Sequence, residues 1–216
     1  MIVNLSKKTK KEEDMSLKDV KINYIIQEAT ALFLEKSISD ITIKDIADRA
    51  GVGEATVYRY FSRKQNIVNM SAVSLQKVVY NEYFRLSGKD GYSKIEKFYR
   101  GYLDVFTAHP EFYKFLREFD AFLISEKEKG AADYEDGLDL FKEEFLNAYN
   151  EGLKDGSVKG VKDVTAFYYA TTHALLGLCA KLSKGFDIVK QDELIKNDEE
   201  INTLIDIILF KLKSRD

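Results

Sequence analysis

The stretch "ITIKDIADRAGVGEATVYRYF", residues 41–61, sets two short apolar-periodic segments on either side of a glycine corner. Thr42 stands just before the first segment with Asp45 three residues on, the spacing of a compact capping box that opens a helix. Ile43, Ile46, Ala47 and Ala50 supply that helix with an inner face. Gly51 ends it, because glycine reaches the left-handed geometry of a helix C′ position without strain. Val52 plugs the turn, Gly53 serves as an N-cap, and residues 54–61 form a second short helix. Val57 and Phe61, four apart, hold that helix inward, while Glu54, Ala55, Thr56, Tyr58, Arg59 and Tyr60 face solvent.

Helix, three-residue glycine turn, helix is the helix-turn-helix order, whose second helix enters the DNA major groove. The outward residues suit that task. A tyrosine hydroxyl donates to phosphate while its ring packs on sugar, so Tyr58 and Tyr60 suit a backbone grip, as does Thr56 at shorter reach. Arg59 matches the O6 and N7 acceptors of guanine, and Ala55 suits a thymine methyl. Glu54 repels phosphate and is useful only by accepting from a cytosine amino group or orienting Arg59. Lys64 adds charge beside the first amides of the next helix, and Lys44 reaches for the opposite strand. The competing reading is a helical hairpin whose aromatics are simply buried.

Outside this motif the chain reads as more helix. One proline, 12 glycines and many Leu, Lys, Glu, Ala and Ile residues among 216 favour an all-α fold. Helices are expected over 18–36, from Ser62 as cap to about 86, then over 93–107, 111–125, 134–153, 161–184 and 198–213. The polar start lacks an apolar signal segment and no long apolar run suggests a membrane span, so the expected location is the cytoplasm. Cys179 is the single cysteine. It permits no intrachain disulfide or thiolate cluster and reads as an inert buried thiol. Residues 1–64 hold 12 Lys and Arg against 10 Asp and Glu, and the remainder holds 21 against 26. A mildly basic head on an acidic body permits a local DNA footprint.

The motif 41–68 resembles the N-terminal domain of the TetR family of bacterial transcriptional regulators. The matching residues are Thr42, Ile46-Ala47, Ala50-Gly51-Val52, Thr56, Tyr58, Tyr60-Phe61 and Lys64. By that resemblance the DNA contacts fall on Lys44, Glu54, Ala55, Thr56, Tyr58, Arg59, Tyr60 and Lys64. Thr42 and Gly53, which open the two helices, complete the candidate set. Gly53 departs from the family's usual serine cap, and Ala55 from a common glycine. Residues 1–17, charged and without periodicity, read as a flexible tail, and the resemblance implies a DNA-binding domain at 18–64 and a helical effector and dimerisation domain at 65–216. It also implies a homodimer on a palindromic operator, most often a repressor, released by a small apolar or amphipathic effector.

In the body, aromatic residues recur at helical spacing. They are core residues individually, and collectively they suit the wall of an apolar cavity between helices. Phe98, Tyr102, Phe115, Phe119, Phe122, Phe141, Phe145, Tyr168, Thr172 and His173 are the candidate ligand contacts. His173 reads equally as a core or seam residue, and His109, before Pro110, as a turn residue. On the last helix Ile201, Leu204, Ile205, Ile208 and Leu212 form one stripe, while Ile207, Leu209 and Phe210 occupy other faces. So much apolar circumference implies a second partner. With the smooth ridge of Ala170, Ala174 and Gly177, the stripe resembles the family's two-fold dimer seam.

No nucleophile–base–acid set, phosphate loop or calcium loop is evident, the two histidines are not spaced as a metal pair, and neither enzyme activity, metal nor cofactor is expected. The alternatives are a helical protein-interaction adaptor and a small-molecule-binding protein without a DNA-regulatory role.

Overall fold

A computed structural model describes residues 16–183 and 194–214. The expected tail lies outside the described residues except for Ser16 and Leu17, as does most of the polar segment before the last helix. Nine α-helices occur among the described residues: α1 Leu17–Glu35, α2 Ile43–Arg49, α3 Glu54–Phe61, α4 Lys64–Tyr83, α5 Gly91–Ala108, α6 Pro110–Glu126, α7 Ala132–Asp155, α8 Val164–Leu182 and α9 Asn197–Leu212. A 3₁₀ turn, Ile38–Asp40, joins α1 to α2. The chain is all-α, with a helix-turn-helix near its start and a larger helical portion after it.

Two compact units are present. Among the described residues, the chain up to Val78 forms one together with Phe115–Glu135, and Val79–Lys114 forms the other with those from Asp136 on. Helices α4, α6 and α7 each contribute residues to both.

In the first unit, Ser16 opens α1 through a capping box with Asp19. Ile25, Ile26, Ala29, Leu32 and Phe33 form its buried stripe at the 3.6-residue period of an amphipathic helix. Ile38, Ile41, Ile46, Ala47, Val57, Phe61, Ile67 and Val68 are buried in the same unit. Each large side chain among them stabilises the unit by about 1.5–3 kcal/mol relative to exposure. On the outside, Arg49 of α2 bonds Glu28 at 3.1 Å and Glu35 at 3.1 Å, both on α1. These are partly exposed pairs, each worth roughly 0–1 kcal/mol, so burial rather than charge holds α2 in place.

In the second unit, α5 ends at Ala108 because His109 precedes Pro110, and proline disfavours helical geometry in the residue before it. Pro110 then opens α6, where its missing N–H costs nothing. Gly156, with φ +79°, terminates α7. Helix α9 packs on α5 and α8. Arg100 of α5 adds bonds to Asn202 and, at 3.0 Å, to Asp206 of α9.

This packing corrects one expectation. Ile201, Ile205, Ile208 and Leu212, assigned above to a dimer seam, are 0, 0, 6 and 0% exposed within the single chain, and Leu204 is half-buried. Helices α5 and α8 already cover that stripe. The apolar residues α9 leaves exposed are Ile207 at 63% and Phe210 at 69%. On α8, by contrast, Ala170, Ala174 and Gly177 are exposed within the single chain.

Helices α5 and α7 approach each other closely at a pair of glycines. A Cβ placed on Gly91 would stand 2.1 Å from the Gly152 nitrogen and 2.3 Å from its Cα, and backbone cannot yield as a side-chain tip does. Gly91→Ala is therefore expected to destabilise the chain by about 3 kcal/mol, read as a shifted urea midpoint. An unchanged midpoint would show that the helices are not this close.

Candidate nucleic-acid interface

The reading head is built from its caps inward. The Thr42 hydroxyl accepts from the Asp45 N–H at 3.1 Å, and the Thr42 N–H donates to the Asp45 carboxylate at 2.8 Å. The Thr42 hydroxyl also donates to that carboxylate, and these bonds hold Asp45 below the usual carboxylate range, the hydroxyl first. Both residues are thus committed to starting α2, though exposed. Gly51 turns the chain at φ +62°, and the Val52 N–H donates to the Ala47 carbonyl at 3.0 Å. Gly53 caps α3 from extended geometry without a side-chain bond.

Helix α3 then splits by face. Val57 is 0% and Phe61 3% exposed. Glu54, Ala55, Tyr58 and Arg59 are exposed, and Thr56 and Tyr60 half-buried. The competing hairpin reading required these aromatics inside. Tyr58 instead is 51% exposed. Arg59 is not a loose cation. Its guanidinium lies 4.9 Å from the Tyr60 ring centroid and donates to the Tyr60 hydroxyl at 3.3 Å. The Tyr60 ring in turn meets Phe61 edge-on at 6.4 Å, so the core indirectly orients Arg59.

The two lysines differ. Lys44 is well exposed and pairs with Asp48 one turn on, a contact that readily exchanges for a phosphate. Lys64 is half-buried, and its ammonium donates to the Ile38 carbonyl. Ser62 also departs from expectation. It closes α3 at φ 63°, donating its N–H to the Tyr58 carbonyl at 2.8 Å, and does not open α4.

The candidate ligand residues fall into two sets. Phe115 and Phe119 stack at 6.0 Å in the first unit, where Phe122 is also buried. In the second unit Phe98, Tyr102, Phe145 and Tyr168 pack ring against ring, and Phe84, not singled out from sequence, joins Phe98, Tyr102 and Phe141 at 4.9–5.4 Å. Thr172 spends its hydroxyl on the Tyr168 carbonyl at 2.8 Å. His173 is exposed beside Tyr169, their rings 5.7 Å apart. A cleft of about 440 Å³ lies among Phe106, Thr107, Pro110, Leu182, Ser183, Asn197 and Asp198, none of them in the candidate set. Cys179 is buried and its thiol is pushed up to about 12 by burial, which removes the reactive thiolate. Among the described residues, no cluster of three His, Cys, Asp or Glu is placed to hold a metal, and no helix is long and apolar enough to cross a membrane.

Residues 25–69, which contain the whole helix-turn-helix, match the model of the bacterial regulatory proteins of the tetR family. That match assigns the helix-turn-helix portion of the chain, and not its full length, to the TetR N-terminal type. It is 24% identical over 156 residues to the HTH-type transcriptional repressor KstR2 of Rhodococcus jostii strain RHA1, spanning 70% of this chain and 74% of that protein. Its fold resembles that of the ketosteroid transcriptional regulator KstR2 of Mycobacterium tuberculosis, with a TM-score of 0.55 at 15% identity over 94% of this chain and 98% of that one. A TetR family transcription regulator from Marinobacter aquaeolei VT8 superposes with a TM-score of 0.61 at 17% identity, over 91% and 97% of the two chains. The family match thus covers the candidate nucleic-acid interface, and the structural matches extend the likeness of fold over most of the chain.

The two glycines of the turn make a controlled pair, since a Cβ on either meets nothing within 4 Å. Gly51→Ala should cost about 1 kcal/mol because of its positive φ. Gly53→Ser should stabilise by a few tenths of a kcal/mol, roughly 0.3, by supplying the missing cap. Urea denaturation at fixed protein concentration reads both, and equal effects at the two positions would contradict the turn geometry.

Proposed function

We propose that this chain is a sequence-specific transcriptional repressor that binds a palindromic operator as a homodimer and is released by a small apolar or amphipathic effector. One observation carries the reading. Helix α3 is anchored by Val57 and Phe61 and turns Tyr58 and the Tyr60-supported Arg59 outward. Such a ridge has no structural use in a free monomer and matches the needs of a groove-reading helix. The tyrosines and Thr56 supply phosphate contacts, Lys44 an exchangeable charge, and Arg59 a fork for guanine. Glu54 and Ala55 complete the base-facing edge. The N-termini that Thr42 and Gly53 open direct backbone N–H groups toward the sugar–phosphate strand.

The dimer face in this reading is the exposed ridge Ala170, Ala174 and Gly177 of α8, with Tyr169 and His173 beside it, joined by Ile207 and Phe210 of α9. Small residues on α8 allow close helix approach, and the exposed side chains of α9 gain most from burial. Two-fold pairing sets two reading helices on successive half-sites. The head at 18–64 and the body at 65–216 divide these tasks. The aromatic clusters support an apolar effector class, with which the ketosteroid regulator among the similar proteins agrees. Release follows by linkage: an effector that prefers the state unable to match both half-sites draws population from the DNA-competent one, by no more than its differential affinity.

Selection from a random duplex pool is expected to return an inverted repeat with half-sites about 10 base pairs apart, centre to centre. Binding should weaken steeply with salt, log K against log salt sloping at about −4 or beyond. Arg59→Ala should relax one position per half-site by about tenfold. A flat salt curve with no enriched sequence would favour the protein-interaction adaptor instead. For the seam, the double variant Ile207→Glu, Phe210→Glu should sediment as a monomer, and a soluble dimer would place the seam elsewhere.

A further inference from the structure

Lys64 matches the family's motif lysine, yet its surroundings are not those of a DNA contact. Its ammonium donates to the Ile38 carbonyl and lies 5.6 Å from the centroid of the Phe122 ring. The N–H of the same Ile38 donates to Glu118 Oε2 of α6 at 2.9 Å. One residue of the 3₁₀ turn is thus gripped through its carbonyl by α4 and through its N–H by α6. Ile38 is itself 1% exposed, so its peptide groups have little access to water in exchange. Burial draws the Lys64 ammonium below the ordinary lysine range, as expected for a cation withdrawn from solvent. Its neighbours are engaged with the same segment: Gln65 donates to Glu126 at 2.6 Å and Arg63 to Glu128 at 2.5 Å. All these groups belong to the first compact unit. Lys44, exposed and in an exchangeable pair, has the opposite surroundings.

We propose that Lys64 is a positioning residue, which with Glu118 fixes the turn between α1 and α2 through Ile38 and does not neutralise a DNA phosphate. The role it takes is structural: the turn sets where α2 starts, and α2 carries the corner from which α3 projects. The inference rests on the DNA-binding reading above, and the test separates the two.

The full chain is titrated with its selected duplex at several salt concentrations by fluorescence anisotropy. Wild type, Lys64→Gln, Glu118→Ala and the double variant are compared, and each is melted without DNA. With Lys64 as a positioning residue, Lys64→Gln keeps the wild-type salt slope to within about half a unit, while its unfolding midpoint falls by about 3 °C. The double variant then loses less than the sum of the singles, because both side chains hold the same residue, Ile38, of one turn. A phosphate contact predicts the reverse: a slope shallower by about 1.8 per dimer, near 0.9 for each phosphate, with an unchanged midpoint. That result overturns the proposal. Should Lys64→Gln not fold, Lys64→Arg decides. A phosphate contact tolerates arginine without a change in midpoint, whereas the wider guanidinium disturbs the site between the Ile38 carbonyl and Phe122 and lowers it. If wild type shows a flat slope and captures no sequence, the DNA reading fails. The positioning role then stands or falls on the melting and coupling data alone.

Discussion

An eight-residue helix does not persist alone in water, because nucleating its first turn costs more than so few hydrogen bonds return. Helix α3 exists because Val57 and Phe61, one turn apart, are buried in the core of the first unit, where α3 packs on α2. Everything on its other face follows from that anchorage. With two inward positions fixed, the helical period dictates that Tyr58 and Arg59 point away. The Tyr60 ring, met edge-on by Phe61, then limits where the Arg59 guanidinium sits. A base-reading side chain gains from such limits, since rotamer freedom lost before binding is not lost on binding.

Around α3 the supports are arranged redundantly. A capping box starts α2, a glycine with positive φ turns the corner, and Arg49 ties α2 to α1 from outside. The 3₁₀ turn at Ile38 is held on both its carbonyl and its N–H. No single one of these is large. Together they set the starting direction of α3 through short covalent and hydrogen-bonded steps, which is how small contributions yield a defined geometry. Two corner glycines are spared side chains for different reasons: Gly51 for its φ, and Gly53 because no side chain there is required for the chain to enter α3.

Much of this was legible in the chain itself. The capping signal at Thr42, the corner at Gly51 and the inward pair Val57 and Phe61 are local features, and local features survive folding. Proline after His109 marked the α5–α6 boundary for the same reason. What the pattern could not disclose was which partner covers an apolar stripe. Ile201, Ile205, Ile208 and Leu212 were correctly read as one face of α9, but their cover is α5 and α8 of the same chain, brought there by contacts about 30 to 110 residues apart in sequence. Ser62 looked like a cap because serine favours that position, and its positive φ is imposed by the tertiary turn. Lys64 sits at the motif position of a phosphate contact, while its actual partner, the Ile38 carbonyl, is a backbone atom with no sequence signature. The aromatic residues showed the same ambiguity, since helical spacing identifies a buried face without saying whether rings or a ligand fill it.

Hydroxyl-radical footprinting with mass spectrometry, on the free chain and on its complex with the selected duplex, tests the anchored-helix account most directly. Tyr58 should be oxidised in the free chain and protected by duplex, with Phe61 protected in both states. A Phe61 that reacts in the free chain, or a Tyr58 whose reactivity is the same with and without specifically bound duplex, would contradict it.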